Sequence, residues 1–187
     1  MADLVRRAGS PAGLRRARPQ DRGPRTEYLA FVLAGDVYAA PVSFVREILK
    51  PPPLTPVPRA PHAIMGIVSV RGQLVTVIDL RRRLRLGEPV PTRRARILLA
   101  DSSGGETIGL FVDEVLQVYR LSDSEKEPAA AALGGDVAPY IEGIARPSVG
   151  SGLAAGGGRR AVEGRTEDES RISVVILLDL RAVLGFS

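Results

Sequence analysis

The chain has 187 residues, 44% of them apolar, which is enough to bury one substantial core or two small ones. Its net charge of +5 comes from the N-terminal tail: Met1 to Arg25 holds seven arginines against two aspartates, and the rest balances at 19 basic and 19 acidic residues. The lack of cysteine excludes disulfides, thiolate metal sites and thiol nucleophiles. Because no signal-peptide pattern or bilayer-length apolar run is present, we expect a cytoplasmic globular protein behind a disordered Arg/Pro-rich tail, residues 1–25.

The first predicted elements are a β-hairpin, a short helix and an extended connector. YLAFVLAGDVYAAPV, residues 28–42, is apolar on both sides of Gly35-Asp36, which predicts a hairpin with its turn there. SFVREIL, residues 43–49, has apolar residues at helical spacing behind Ser43, a suitable N-cap, and predicts one or two turns of helix. Five prolines in PPPLTPVP, residues 51–58, exclude a helix or a central strand and predict an extended connector.

GIVSVRGQLVTVIDLRRRL, residues 66–84, predicts two apolar strands joined at Arg71-Gly72. Asp79 then caps a short helix whose Leu80 and Leu84 turn inward. A long cation at the tip of two buried strands does not serve the core. Arg71 is therefore either an incidental surface residue or one that is aimed at a partner.

The chain also contains an internal repeat. An offset of 67 residues lays VREIL (45–49) over VDEVL (112–116), and the motif Asp-Leu-Arg-x-x-Leu at 79–84 recurs at 179–184. We therefore predict two small β-rich halves of the same plan, Tyr28 to about Leu86 and about Arg93 to Leu184. A lone half of about 60 residues would be marginally stable, so the halves should bury a shared core. The Gly/Ala-rich, aperiodic stretch Pro147 to Ser170 predicts a mobile loop.

Catalytic chemistry has little support in the residues. ADSSGG, residues 100–105, contains Ser102, and the single histidine, His62, precedes it, so a hydrolase using the two is one alternative. However, the repeat places this tract at a hairpin turn, where Asp, Ser and Gly are ordinary residues. A composition of one histidine and no cysteine also argues against a metal site. We expect no enzyme, no metal and no cofactor.

Nucleic-acid binding is a second alternative. Seven arginines lie between Arg81 and Arg96 with Glu88 as their one acidic neighbour, and together with the tail they could contact phosphates. A solvated connector between the halves explains such a charge run better. The chain also lacks tryptophan, and Phe31, Phe44 and Phe111 fall in patterns that predict burial, so stacking surfaces for bases are missing.

Six sequence blocks cover residues 26 to about 184 in a specific order, although each block is weak by itself. They are YLAFVLAGDVYAAPVSFVREIL, PPPLTPVPRAP, IMGIVSVRGQLVTVIDLRRRL, GLFVDEVLQV, YIEGIAR and ISVVILLDLRAVL. In this order they closely resemble the CheW family of bacterial chemotaxis adaptors. The resemblance implies an all-β fold, mainly β with short helices, in which two SH3-like five-stranded β-barrel subdomains pack around a shared core. Residues 26–187 would form this domain, with subdomain 1 at about 26–90, subdomain 2 at about 91–187 and a flexible insertion at 147–170.

The resemblance also implies a function without catalysis or cofactor. Such a protein couples the cytoplasmic tip of a chemoreceptor, a methyl-accepting protein, to the regulatory domain of a CheA-type histidine kinase in chemotaxis or a related two-component pathway. Its membrane association would run through the receptors alone. By resemblance, the receptor-binding residues are Arg71, Gly66, Val45 and Glu47. The kinase would contact exposed strand edges of the second barrel, for which no residues are assigned.

This chain departs from the family at the Arg-Gly turn. Ser69-Val70 stands where the family commonly has Asn-Leu, and the asparagine often ties the turn. The sequence therefore does not fix the pose of Arg71.

Overall fold

The computed structural model describes residues 23–89, 92–102, 105–134, 137–148, 152–153 and 174–185. These ranges form strands and short helices in the following order: β1 Arg25–Leu33, β2 Asp36–Pro41, β3 Val45–Leu49, β4 Ile64–Val70, β5 Gln73–Asp79, α1 Leu80–Arg83, β6 Arg96–Asp101, β7 Thr107–Val112, β8 Glu114–Ser122, β9 Lys126–Pro128, α2 Ala129–Ala132, β10 Ile141–Ala145, β11 Gly152–Leu153, β12 Val175–Leu178 and α3 Leu180–Leu184. Single 3₁₀ turns at Val42–Phe44 and Asp123–Glu125 precede β3 and β9. The predicted tail falls outside these ranges up to residue 22, and so does most of the predicted 147–170 loop.

The strands form two sheets whose orders match. The five-stranded sheet runs β3-β6-β7-β5-β4, and the seven-stranded sheet runs β11-β8-β1-β2-β12-β10-β9. When the short outer strands β11 and β9 are left out, the seven-stranded sheet reduces to β8-β1-β2-β12-β10, which corresponds strand by strand to β3-β6-β7-β5-β4. Each sheet contains one parallel pair, β5 with β7 and β2 with β12. The predicted fold class is confirmed: the protein is mainly β, with two SH3-like five-stranded units and short helices.

The halves of the sequence do not correspond to the two sheets. The β1-β2 hairpin belongs to the sheet built otherwise from later strands, and the β6-β7 hairpin belongs to the sheet that contains β3, β4 and β5. Each half therefore gives its first hairpin to the other. The boundary predicted near residue 90 does not separate the sheets, because strand pairing across the halves satisfies the edges that each half would otherwise expose.

The core lies in three layers. A central cluster joins the sheets through residues of both, among them Phe31, Ile78, Leu98, Leu110 and Leu180. One further cluster fills each sheet unit from inside. Strand alternation explains the division: Leu98 and Ala100 of β6 face the centre, whereas Ile97 and Leu99 face the interior of their own unit. Because these strands are buried on both faces, their sequences are continuous apolar runs.

Both Asp-Leu-Arg-x-x-Leu motifs fold as predicted. The Asp79 carboxylate accepts the backbone N–H groups of Arg81 and Arg82 at the start of α1, and Asp179 does the same for α3. Leu80 and Leu84, together with their counterparts in α3, are buried in the central cluster. Among the described residues, no helix has the length and apolar character needed to cross a membrane.

Two local predictions were wrong. Residues 45–49 form strand β3, and the helical turn before it is a single 3₁₀ turn in which Ser43 is not the cap. The pairing of β3 with β6 overrides the helical spacing of the apolar residues. A 3₁₀ turn followed by a bulged strand is compatible with the same spacing. The first hairpin turns at Ala34-Gly35, because Leu33 pairs with Asp36.

Candidate functional site

Arg71 occupies the tip of the β4-β5 hairpin. Val70 pairs with Gln73, which leaves Arg71 and Gly72 as a two-residue loop. Their φ angles are 50° and 82°, and a type I′ turn requires positive φ at both positions. The Arg71 side chain is 79% exposed, so it stands outside its own fold. The type I′ geometry holds the turn although the family's asparagine is absent.

The Arg71 guanidinium is held by Glu47. Its Nη2 donates to Glu47 Oε1 at 2.9 Å, and the glutamate side chain, on β3, is 32% exposed. Both residues line a groove of about 350 Å³ between β3 and the hairpin. An exposed ion pair contributes little to stability, about 0 to 1 kcal/mol. Its effect is positional, because Glu47 holds one end of a guanidinium whose side chain is otherwise largely exposed.

The other two predicted site residues support this pair. Val45 lies on the same strand as Glu47, is half-buried and packs against the central cluster. Gly66 is buried at a bulge in β4 with a φ of 151°, and a Cβ there would stand 2.5 Å from the carbonyl oxygen of Thr55. It allows the proline-rich connector to pair with β4 through Thr55 and Ile67. Of the four predicted site residues, Arg71 and Glu47 are therefore the two whose charged side chains line the groove.

Sequence reasoning missed Arg46. Its side chain lies beside Glu47, lines the same groove and bonds Asp101 Oδ1 at 3.1 Å, with 61% of the arginine exposed. The groove is thus lined by two arginines, each of which forms an ion pair with a carboxylate. Its position inside the repeated VREIL segment, residues 45–49, was the available signal, but strand alternation alone does not show which side chain Arg46 contacts.

The arginine cluster between Arg81 and Arg96 is largely used inside the protein. Arg81 forms a buried ion pair with Asp113, and Arg82 bonds Glu88. Arg83 donates to carbonyl groups at the end of α3, and Arg96 donates to carbonyl groups before β6. The nucleic-acid alternative is therefore unsupported, because these guanidinium groups serve internal contacts.

The structure does not bring Ser102 and His62 together as a hydrolase would require. Ser102 Oγ accepts the backbone N–H of Glu106 within its loop, and His62 Nε2 lies 3.3 Å from Glu88 Oε1. The structure shows no hydrogen bond between His62 and Ser102, so the described residues contain no nucleophile and base pair here. Nor do the described parts of the chain bring together three or more metal-ligating His, Cys, Asp or Glu residues.

Comparison with known proteins identifies the family of this chain. The profile of the CheW-like domain matches residues 27–186. The chemotaxis protein CheW of Bacillus subtilis is 35% identical over 118 residues, which are 63% of this chain and 75% of that protein. Protein FrzA of Myxococcus xanthus is 32% identical over 71% of this chain and 82% of its own length. CheW of Rhizobium meliloti is 31% identical, and its match spans 54% of this chain and 65% of that protein.

A solved structure supports the same fold. The crystal structure of the scaffolding protein TtCheW from Thermoanaerobacter tengcongensis superposes with a TM-score of 0.65 at 24% identity. The superposition covers 87% of this chain and 94% of that one. Because the family profile covers most of the sequence, the chain belongs to the CheW-like family.

Proposed function

We propose that this protein is a non-catalytic adaptor that couples the cytoplasmic tips of chemoreceptors to a CheA-type histidine kinase. The adaptor class follows from family membership, since relatives are named as chemotaxis proteins and the structural neighbour as a scaffolding protein. In this role the protein acts in the cytoplasm, at the membrane only through its receptors. Its output is chemotaxis or a related two-component response.

The receptor-binding site in this proposal is the Arg71 and Glu47 pair, supported by Val45 and Gly66. The observation that carries it is the exposed Arg71 guanidinium, fixed at 2.9 Å by Glu47 at the lip of a groove. An arginine fork pairs well with a carboxylate, and its stem packs against apolar surface. In this proposal the groove receives a helical receptor segment that carries an acidic side chain.

The kinase-binding site in this proposal is a strand edge of the seven-stranded sheet. Strand β9 ends that sheet and pairs with β10 on one side. A homologous barrel of the kinase could add to such an edge by main-chain hydrogen bonds. This location leaves the groove beside Arg71 free, so one adaptor could hold both partners together.

The test is the charge reversal Arg71→Glu. We expect the variant to lose receptor-dependent kinase activation and to bind receptor roughly 30-fold more weakly or worse, the size of an interface hot spot of about 2 kcal/mol. Its melting temperature should match that of the wild type, because the side chain touches no core. The measurement is kinase autophosphorylation with receptor-containing membranes, together with co-sedimentation.

Arg120→Glu is the matched control, since Arg120 is another exposed arginine that bonds a glutamate, Glu27, at 2.8 Å. This control should activate the kinase normally. The exchange of Arg71→Glu with Glu47→Arg restores an ion pair without the guanidinium at the tip, and it should remain inactive. Full activation by Arg71→Glu alone would refute the assignment.

A further inference from the structure

A second arginine and glutamate pair, whose glutamate lies on the seven-stranded sheet, resembles the proposed receptor site. Arg94 Nη1 lies 3.2 Å from Glu114 Oε2, and the two side chains are 74% and 31% exposed. The corresponding values for Arg71 and Glu47 are 79% and 32%. In both pairs a half-buried glutamate holds a largely exposed guanidinium at the surface.

The two glutamates occupy equivalent positions in the duplicated fold. An offset of 67 residues relates Glu47 to Glu114. Glu47 of β3 pairs with Leu99 of β6, and Glu114 of β8 pairs with Val32 of β1. The same offset separates Val32 from Leu99, so the register around each glutamate is conserved between the sheets.

The arginines of the two pairs come from unrelated segments. Arg71 stands on a hairpin turn, whereas Arg94 lies just before β6, where its backbone N–H donates to Thr92 Oγ1 at 3.1 Å. Duplication explains why the glutamates correspond, but it does not explain why each has acquired an arginine from a different part of the chain. The shared feature is the resulting surface group.

Glu114 directly follows a buried polar contact. Its neighbour Asp113 is buried and accepts hydrogen bonds from the Arg81 guanidinium and from the backbone N–H of Ala34 at 2.8 Å. This buried pair joins α1, the first hairpin and the start of β8. The second surface pair is therefore preorganised, which lowers the entropy cost of binding.

Both glutamates lie on strands that have an unpaired edge within the described ranges. Strand β3 pairs with β6 on one side, and β8 pairs with β1 on one side, while β11 covers β8 on the other at Val118 and Tyr119. Within the described ranges, the outer edge of β8 beside Glu114 has no strand partner. Among the described residues, Arg94 Nε and Nη2 have no hydrogen-bond acceptor, so these donors can meet a carboxylate.

We propose that Arg94 and Glu114 form a second docking point for a carboxylate-bearing helical segment of a receptor, which makes the adaptor bivalent. The inference rests on the proposed function, because it assigns the same class of partner to both pairs. The pair is neutral overall, and this favours a directed carboxylate contact over non-specific attraction to a polyanion. One adaptor would then bridge two receptor segments.

The test is the binding stoichiometry of a purified, soluble cytoplasmic fragment of a chemoreceptor, measured by calorimetric titration and sedimentation velocity. We expect two fragments to bind each wild-type chain. Arg94→Glu should bind one fragment, with the affinity of the remaining site changed less than twofold. Arg71→Glu should also bind one, and the double variant should bind none. Arg94→Ala repeats the loss without a new charge, and circular dichroism checks that each variant is folded.

The control Arg120→Glu, on the same strand β8, should keep two sites. One fragment per wild-type chain, lost in Arg71→Glu and unchanged in Arg94→Glu, would overturn the second site and leave the proposed function intact. Loss of kinase binding in Arg94→Glu, with two receptor fragments still bound, would assign this surface to the kinase and also overturn the inference. Absence of binding by the wild type would reject both proposals.

Discussion

Glu125 shows how a single carboxylate can connect distant parts of this fold. It lies in the 3₁₀ turn before β9 and accepts hydrogen bonds from the backbone N–H and hydroxyl groups of both Ser122 and Ser148. Burial acts to raise the pKa of Glu125, but these donated hydrogen bonds outweigh it and lower that pKa to about 2. The ionised form is therefore the one that stabilises the fold.

This shift predicts a dependence of stability on pH. The pKa falls from 4.5 to about 2 on folding, so the contribution of Glu125 is complete above about pH 4.5 and is lost as the pH falls towards 2. Glu125→Gln should therefore lower the free energy of unfolding at about pH 6, and the difference from wild type should shrink at about pH 3. Urea unfolding at the two pH values measures it. Glu27→Gln, which changes an exposed pair, is the control, and a difference that stays constant with pH would contradict the prediction.

At the scale of elements, the β4-β5 hairpin depends on the connector that lies against it. Thr55 and Ile67 exchange two backbone hydrogen bonds of 2.9 Å, and this contact exists because Gly66 has no side chain. Leu54 and Met65 pack against the cluster inside the same sheet unit. The hairpin that carries Arg71 is thereby fixed on its outer edge as well as by β7.

Gly66→Ala should therefore act on stability first and on binding second. We expect the free energy of unfolding to fall by about 2 kcal/mol or more, because the new Cβ meets the Thr55 carbonyl and the backbone angle is unfavourable. Gly35→Ala is the comparison, since a Cβ there has open space at a φ of 94° and adds backbone strain alone. Chemical unfolding of the three proteins tests this order. Equal stabilities of Gly66→Ala and Gly35→Ala would show that the connector contact contributes nothing.

At the scale of the whole molecule, the exchange of hairpins makes the two sheets interdependent. Each sheet needs two strands from the other half of the sequence, and the central cluster contains side chains from both sheets. The buried pair of Arg81 and Asp113 adds a polar link across the halves. The two docking surfaces proposed above are therefore held in a fixed relation by one core.

Separated halves should not fold independently. We expect fragments 1–89 and 92–187, each expressed alone, to lack a cooperative thermal transition, because each would expose the strand edges and core residues that the other covers. Mixing them should restore a cooperative transition by complementation. Circular dichroism melting curves give the measurement. A cooperative transition in either isolated fragment would show that the halves are autonomous units.

The sequence by itself determined the local features of this protein, and it also identified the family to which the protein belongs. Strand alternation, the Arg71-Gly72 turn, both Asp-capped helices and the duplicated motifs are set by interactions within a few residues, and they were readable for that reason. Tertiary structure decided which strands pair and that residues 45–49 form a strand instead of a helix. It also decided that Glu47 and Glu114 each form an ion pair with an arginine from another segment of the chain. Those outcomes depend on long-range packing and on the pairing of otherwise open edges, and neither leaves a periodic signal along the chain.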